Sequence, residues 1–472
     1  MSVVKKVLKN TFIQISGKAV AMILGLLTIG VMTRYLGREG FGQYSTIIAF
    51  LQFFGIIVDF GLAVIIVQMI SSRPDETEKL TSNIFTFRLI SALFFFALAP
   101  LVVWFFPYPA IIKWGVLVTT WALFFTSLNQ LILGLFQREL KMGKATIADV
   151  VGRSIIFFGA VLAVYFGWNL LAIMAAVSIG NLVNFLLLFI LSRSITRIRL
   201  AFDWSVWKEV FYKSWPIGLS IIFNLVYFKA DTLILSLIRS QAEVGIYGAT
   251  YKVLEILAGL PYIFMGLVLP LMSASLAAKD GQRFWEITQK SWDFICAVTL
   301  PMMIGGIVLA KKIMFLVAGQ GFTDAGPLLQ ILIIATGAIY FSTIFNHAII
   351  ALERQRQILK GFFVTAVVAL AGYLWLIPKY SYFAAAWTTV LAEMMILVIS
   401  IFVVTRATGK TVGFNIFNKA LLSSLVMGAV LLVVGWYGGG LLVSLIVGTV
   451  TYAAIFYLIG GINKELLQNL VK

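Results

Sequence analysis

The stretch WNLLAIMAAVSIGNLVNFLLLFILS, Trp168–Ser192, carries no charge over 25 positions, and Arg193, Arg197 and Arg199 follow directly. A hydrocarbon core about 30 Å thick is crossed by roughly 20 apolar residues in a helix. This stretch has that length, and its basic edge marks one side of a membrane. Working outward, thirteen similar runs flank it: roughly 12–36, 41–70, 79–104, 110–136, 144–166, 213–238, 243–276, 284–310, 324–352, 357–377, 381–405, 416–436 and 440–460. Backbone groups cannot stay unpaired in lipid, so each run must be helical. The alternating ten-residue strands of an outer-membrane barrel are absent. With 61% hydrophobic residues and a mean hydropathy of +1.01, no soluble domain remains. The fold class is therefore an all-α polytopic membrane protein of about 14 transmembrane helices.

The net charge of +17 is topological and does not point to nucleic acid. With the N-terminus inside and sides alternating, 24 of the 36 Lys and Arg fall on the cytoplasmic side, seven opposite and five within spans. Excess positive charge marks cytoplasmic segments, so both termini are expected inside, with some attraction for anionic membrane lipids. Lys5, Lys6 and Lys9 precede an apolar run too long for a signal peptide, with no small-residue cleavage site. It is expected to remain as the first span. A single Cys296 excludes an intramolecular disulfide, and the lone His347 cannot build a metal site. His347 is expected in a helix-packing or polar-contact role.

Residues 193–212 form the longest connection, basic and carrying Trp204, Trp207 and Phe211, and Asp203 is placed to cap a short helix at the interface. This segment divides an N-terminal six-helix bundle (1–192) from a C-terminal one (213–405), with a further helix pair and tail at 406–472. The bundles read as pseudo-repeats. Phe41-Gly42-Gln43-Tyr44 and Val244-Gly245-Ile246-Tyr247 open equivalent spans at an offset of 203, and Asn129 and Asn346 stand 217 apart before basic loops. Transporters commonly hold substrate between such repeats. Residues 420–463 contain no Asp, Glu, Lys or Arg, so the last pair is expected to face lipid. Pro216, Pro261, Pro270 and Pro301 crowd spans 7 to 9, where static curvature and a hinge are both open readings.

Charges inside a membrane are costly and mark function. The spans hold Lys18, Arg88, Arg153, Lys229 and Lys252 against Asp59, Asp149, Asp231, Glu255, Asp293 and Glu393. Asp149/Arg153 and Lys252/Glu255 share helix faces and can neutralise each other. Lys229 and Asp231 point apart and need partners on other helices. Lys18 and Arg88 have no carboxylate within reach along their own helices; snorkelling is one reading. The other is a cavity where Lys18, Arg88, Arg153, Lys229 and Lys252 present cations to an anionic ligand. Asp59, Asp231, Glu255, Asp293 and Glu393 are candidates to bind a coupling ion, H⁺ or Na⁺. No large external loop, paired acidic motif or phosphate-binding Gly-rich loop with Gly-Lys-Ser/Thr appears, so no enzyme, catalytic residue, metal or cofactor is expected.

Thr33-Arg34-Tyr35-Leu36-Gly37-Arg38-Glu39-Gly40-Phe41-Gly42-Gln43-Tyr44 resembles the Arg-x-Leu-Gly…Phe-Gly-x-Tyr signature of bacterial polysaccharide flippases. These belong to the multidrug/oligosaccharidyl-lipid/polysaccharide exporter superfamily. The motif residues are Arg34, Leu36, Gly37, Phe41, Gly42 and Tyr44, with Arg38 replacing the usual proline. Asp59-Phe60-Gly61-Leu62 and Asp231 followed by Val244-Gly245-Ile246-Tyr247 and Lys252 fit the same pattern. The resemblance implies alternating-access transfer of an undecaprenyl-pyrophosphate-linked oligosaccharide from the cytoplasmic to the outer leaflet of a bacterial inner membrane. It implies partners among the glycan polymerase and glycosyltransferases of the same pathway. A cation-coupled multidrug or metabolite exporter of the same superfamily is the alternative. In a Cys296→Ser background, a cysteine placed beside Arg197 is expected to resist impermeant thiol reagents applied outside intact cells; labelling from outside would overturn the topology.

Overall fold

The computed structural model describes residues 3–139 and 141–461, with side chains from residue 16 except at 64, 216, 217, 220, 224 and 226. The side chains of Lys5, Lys6, Lys9 and Pro216, named above, lie outside the described residues. The chain is helical almost throughout: α1 (Val3–Asp59), α2 (Leu62–Ser72), α3 (Thr77–Val102), α4 (Ala110–Arg138), α5 (Met142–Tyr165), α6 (Leu170–Ser192), α7 (Trp204–Ile238), α8 (Gln241–Ala277), α9 (Gly281–Ala318), α10 (Gly326–Ala351), α11 (Gln355–Thr408), α12 (Asn415–Trp436) and α13 (Leu441–Leu458). Among the described residues, eleven helical stretches have the length and apolarity to cross a membrane. Two of them, α1 and α11, are double. The helices are consistent with the apolar runs read from the sequence, one of which is interrupted as described next.

The breaks sit where the backbone demands them. Gly37 of the Arg-x-Leu-Gly motif has φ 65° and splits α1 into arms 3–36 and 38–59. That region costs an L-residue energy and suits glycine. Ser381, at φ 54°, splits α11 in the same way, three residues after Pro378. The run 41–70, read from sequence as one span, is interrupted: Phe60 (φ 39°) and Gly61 (φ 82°) end α1 and restart the chain as α2. By contrast α8 and α9 continue through Pro261, Pro270 and Pro301 without such a break.

Contacts divide the chain into two compact units, 1–248 and 249–472. This boundary falls inside α8, later than the 193–212 linker, because α7 packs against α1, α2 and α3. Asp203 caps α7 through the Ser205 amide (3.0 Å), but the expected short interfacial helix is not separate: α7 runs unbroken from Trp204 to Ile238. The preceding linker is strapped along α3. Ser82 Oγ accepts from the Arg199 amide (3.1 Å), Thr86 Oγ1 accepts from the Ala201 amide (2.9 Å), and Lys79 pairs with Asp203 at 2.7 Å. The Lys79 ammonium, with the Ser205 hydroxyl, holds the Asp203 carboxyl down at about 2. A carboxyl held low keeps its partner above the ordinary carboxylate range and loses it only as pH falls toward 2. The strap is therefore closed at physiological pH.

The core of the first unit runs from Leu62, Ile65 and Met69 on α2 through Ile84 on α3 to Leu131 and Phe136 on α4. In the second, Trp292 gathers Phe341, Phe345, Phe414 and Phe417 around α9, α10 and α12. Burial ranks the helices: the α10 stretch has 83% of its apolar window inside, α13 only 17%. The α12–α13 pair is peripheral yet fastened to α9. Tyr452 donates to the Ala297 carbonyl (2.7 Å) and Lys312 to the Gly439 carbonyl (2.5 Å).

The two copies of the Gly motif meet. A Cβ on Gly42 would lie 1.7 Å from the Gln241 carbonyl oxygen, and one on Gly245 would lie 1.8 Å from that of Arg38. The contact is reciprocal and backbone to backbone, as small residues permit between membrane helices. Thr46 Oγ1 donates to Gln241 Oε1 beside it (2.8 Å). Gly42→Ala or Gly245→Ala forces these backbones apart, with an expected cost of about 1–3 kcal/mol. Gly259→Ala, which meets nothing within 4 Å, is expected to be neutral or slightly stabilising. Thermal unfolding of the three variants in one detergent checks the contrast.

Candidate functional site: a polar cleft over a sealed ion pair

The first unit contains an open cleft of about 730 Å³ lined by Asp59, Ala63, Val67, Gln68, Ser71, Gln130, Leu133 and Gln137. Its position follows from the break after Asp59. Ending α1 there and restarting at Leu62 turns α2 alongside α4, so Gln68 and Ser71 on α2 face the same space as Gln130 and Gln137 on α4. The α2 pair is three residues apart and the α4 pair seven, spacings that keep each pair on one helix face.

Beneath the cleft lies Arg88 of α3, with no exposed surface. Its guanidinium is held by three partners. Nη1 donates to Asp59 Oδ1 (2.5 Å), Nη2 to Gln130 Oε1 (3.0 Å) and Nε to Ser127 Oγ (3.0 Å). The planar fork of Arg suits such fixed acceptors. Asp59 retains 18% exposure toward the cleft. Asp59 Oδ2, the Gln130 amino group and the side chains of Gln68, Ser71 and Gln137 carry no hydrogen bond within the described residues. The cleft thus offers amides, a hydroxyl and one carboxylate edge, while the cation is spent underneath. Arg88 was expected to face an anionic ligand. The structure instead makes it a positioning residue for Asp59 and Gln130, because its partner came from another helix.

The other named residues are scattered. Lys18 is exposed on α1 and makes no hydrogen bond or ion pair among the described residues. Arg153 pairs with Asp149 along α5 at 3.1 Å, both more than a third exposed, and such a pair contributes little. Lys252 and Glu255 pair at 2.7 Å on α8. Lys229 stands beside the Phe228 ring. Asp231 is sealed completely; Tyr247 of the second Gly motif donates to Oδ2, and the Thr232 amide and hydroxyl donate to Oδ1. Gln289 Nε2 donates to Asp293 (2.9 Å). Glu393 on α11 is 4% exposed. His347 makes the polar contact expected of it, with Nδ1 at 2.7 Å from the Thr343 carbonyl. Asn346 accepts from Ser400 (2.8 Å), whereas the buried Asn129 Oδ1 has no partner among the described residues. Among the described residues, no group of three His, Cys, Asp or Glu could hold a metal.

Sequence reasoning passed over Gln68, Ser71, Gln130 and Gln137 because it searched for charge. The available signal was uncharged polar residues recurring on one face of otherwise apolar helices.

The family model described as "Polysaccharide biosynthesis protein" matches residues 7–276. A provisionally named O-antigen transporter of Shigella flexneri is 23% identical over 395 residues, covering 80% of this chain and 93% of that protein. The succinoglycan biosynthesis transport protein ExoT of Rhizobium meliloti (strain 1021) is 22% identical over 349 residues, covering 71% and 67%. Among solved structures, the lipid II flippase MurJ in an inward closed conformation superposes with a TM-score of 0.77 at 15% identity, covering 98% of this chain and all of that one. That last likeness concerns the fold.

Removing one member of a buried pair leaves a charge uncompensated, typically at a cost of roughly 3–5 kcal/mol. Arg88→Ala is expected near the lower end, since Asp59 keeps some exposure. The double variant Arg88→Gln/Asp59→Asn is expected to recover part of the loss. Unfolding midpoints of the two variants in detergent check this; equal loss in both would reject the ion pair as the cause.

Proposed function

Because this chain belongs to the polysaccharide biosynthesis protein family, we propose that it moves a lipid-linked oligosaccharide across the bacterial cytoplasmic membrane. The observation that carries this is the cleft: free amide, hydroxyl and carboxylate groups set into apolar helices. Sugars present dense arrays of hydroxyls that both donate and accept. Gln side chains answer both roles, and a carboxylate edge accepts. A guanidinium held below the floor keeps those acceptors oriented without presenting charge to a neutral sugar.

In this reading the glycan occupies the cleft, and the lipid tail stays in the bilayer. The substrate is an undecaprenyl-pyrophosphate-linked oligosaccharide, carried from the cytoplasmic to the outer leaflet by alternating access. Lys18 is the cation best placed to meet its pyrophosphate, since Arg153 and Lys252 are already paired. Pro261, Pro270 and Pro301 supply compliant points, and an ion gradient, H⁺ or Na⁺, supplies the drive. The glycan polymerase and glycosyltransferases of the same pathway are the expected partners. The names of the two curated relatives, an O-antigen transporter and a succinoglycan transport protein, support this over a multidrug or metabolite exporter.

Losing hydrogen bonds worth about 0.5–1.5 kcal/mol each from Gln68 and Gln137 is expected to weaken handling of the glycan about ten-fold. The double variant Gln68→Ala/Gln137→Ala should accumulate lipid-linked glycan in the cytoplasmic leaflet at normal protein level. Lys18→Ala should do the same, with Lys18→Arg milder. Wild-type flux from the Gln double variant would reject the cleft as the glycan site.

A further inference from the structure

Glu393 is a carboxyl group inside a membrane helix, 4% exposed, with no hydrogen bond or ion pair to any described residue. Every other buried acid named above has a donor. Its surroundings belong wholly to the second unit. Ser400, two turns further along the second arm of α11, donates to Asn346 of α10 (2.8 Å). The α10 helix and this arm run the same way, with the first arm of α11 returning between them. Glu393 therefore sits about two turns back from Asn346, at the level of Ile339 to Thr343. Tyr262 of α8 lies near this level, within interaction reach of the Thr343 side chain and of Glu393, while the Thr343 hydroxyl itself donates to the Ile339 carbonyl (2.6 Å). The Tyr262 ring stands 6.1 Å from that of His347. The Thr343 carbonyl can only accept, so His347 Nδ1 carries a proton there and a neutral ring keeps Nε2 as an acceptor.

Four other titratable groups on these elements have partners of their own. On α8, Lys252 pairs with Glu255. On α10, Tyr340 donates to the Leu257 carbonyl (2.9 Å). On the first arm of α11, Tyr373 shares a hydrogen bond with Thr389 (3.3 Å). No cation among the described residues pairs with Glu393.

We propose that Glu393 is a proton-binding site, reached through Tyr262 and His347 from the α10 end nearest Ala351. An ionised carboxylate in this position would stand uncompensated. One proton taken from water on one side converts it to the neutral acid, and its release on the other side restores the carboxylate, so a single proton is carried per cycle. This rests on the transport reading above, because it supplies the ion that drives it. Tyr262 and His347 act as relay groups and His347 as the entry.

The test uses purified full-length protein in phospholipid nanodiscs with no glycan substrate. A hydrophobic carbodiimide reacts with protonated carboxyl groups, and peptide mass spectrometry locates the adduct. Glu393 is expected to be labelled at low pH, with labelling lost as pH rises and unaffected by Na⁺ at constant ionic strength. The Glu393→Gln variant, an isostere of the protonated form, should keep its unfolding midpoint and lack the adduct. His347→Gln should slow labelling without moving its pH midpoint. An unlabelled Glu393 at every pH, or labelling blocked by Na⁺ at fixed pH, overturns the proposal. In proteoliposomes, Glu393→Gln is expected to lose stimulation of glycan transfer by a pH gradient. If no glycan is moved even by the wild type, the transport reading fails while the labelling result stands.

Discussion

A peptide group left unpaired in hydrocarbon costs several kcal/mol, and the rest of this structure follows from avoiding that cost. Each apolar run closes its own hydrogen bonds as a helix, so variety is confined to the places where helices stop. Gly37, Phe60-Gly61 and Ser381 are such places, each with positive φ. The interruption after Asp59 turns α2 against α4 and opens the cleft. A continuous helix through Gly61 would carry Gln68 and Ser71 along the line of α1 instead.

Side-chain charge obeys the same constraint. Arg88 is buried with each guanidinium nitrogen donating once, to Asp59, Gln130 and Ser127 on two other helices. Asp231 is matched by Tyr247 and Thr232. These groups hold neighbours in place. Groups left over carry the functional proposals: the free polar edges of the cleft, the exposed Lys18, and the carboxyl of Glu393.

Membership of a polysaccharide family gives the cleft its meaning. A cationic cavity was a natural expectation from a chain with buried Lys and Arg. The charges turned out to be largely paired, and what remains in the first unit is chemistry suited to hydroxyl-rich ligands. The Arg-x-Leu-Gly and Phe-Gly-x-Tyr residues act on the backbone: Gly37 makes the bend, and Gly42 allows α1 to touch the start of α8 at Gly245.

Composition and run length by themselves determined the helical class and most of the apolar runs, and the Arg34-to-Tyr44 motif pointed to the family. Those signals are local, since a 20-residue apolar segment must be a helix whatever surrounds it. The pairs Asp149/Arg153 and Lys252/Glu255 were legible for the same reason, because i,i+3 and i,i+4 spacing places partners on one face. Only the tertiary structure decided which helix faces meet. It joined Arg88 to Asp59 across 29 positions and Gly42 to Gly245 across 203, gathered Gln68, Ser71, Gln130 and Gln137 around one cleft, and left Glu393 unmatched. Lipid presses every apolar face inward or outward alike, so hydropathy does not encode azimuth; close packing of glycines and the matching of buried polar groups do.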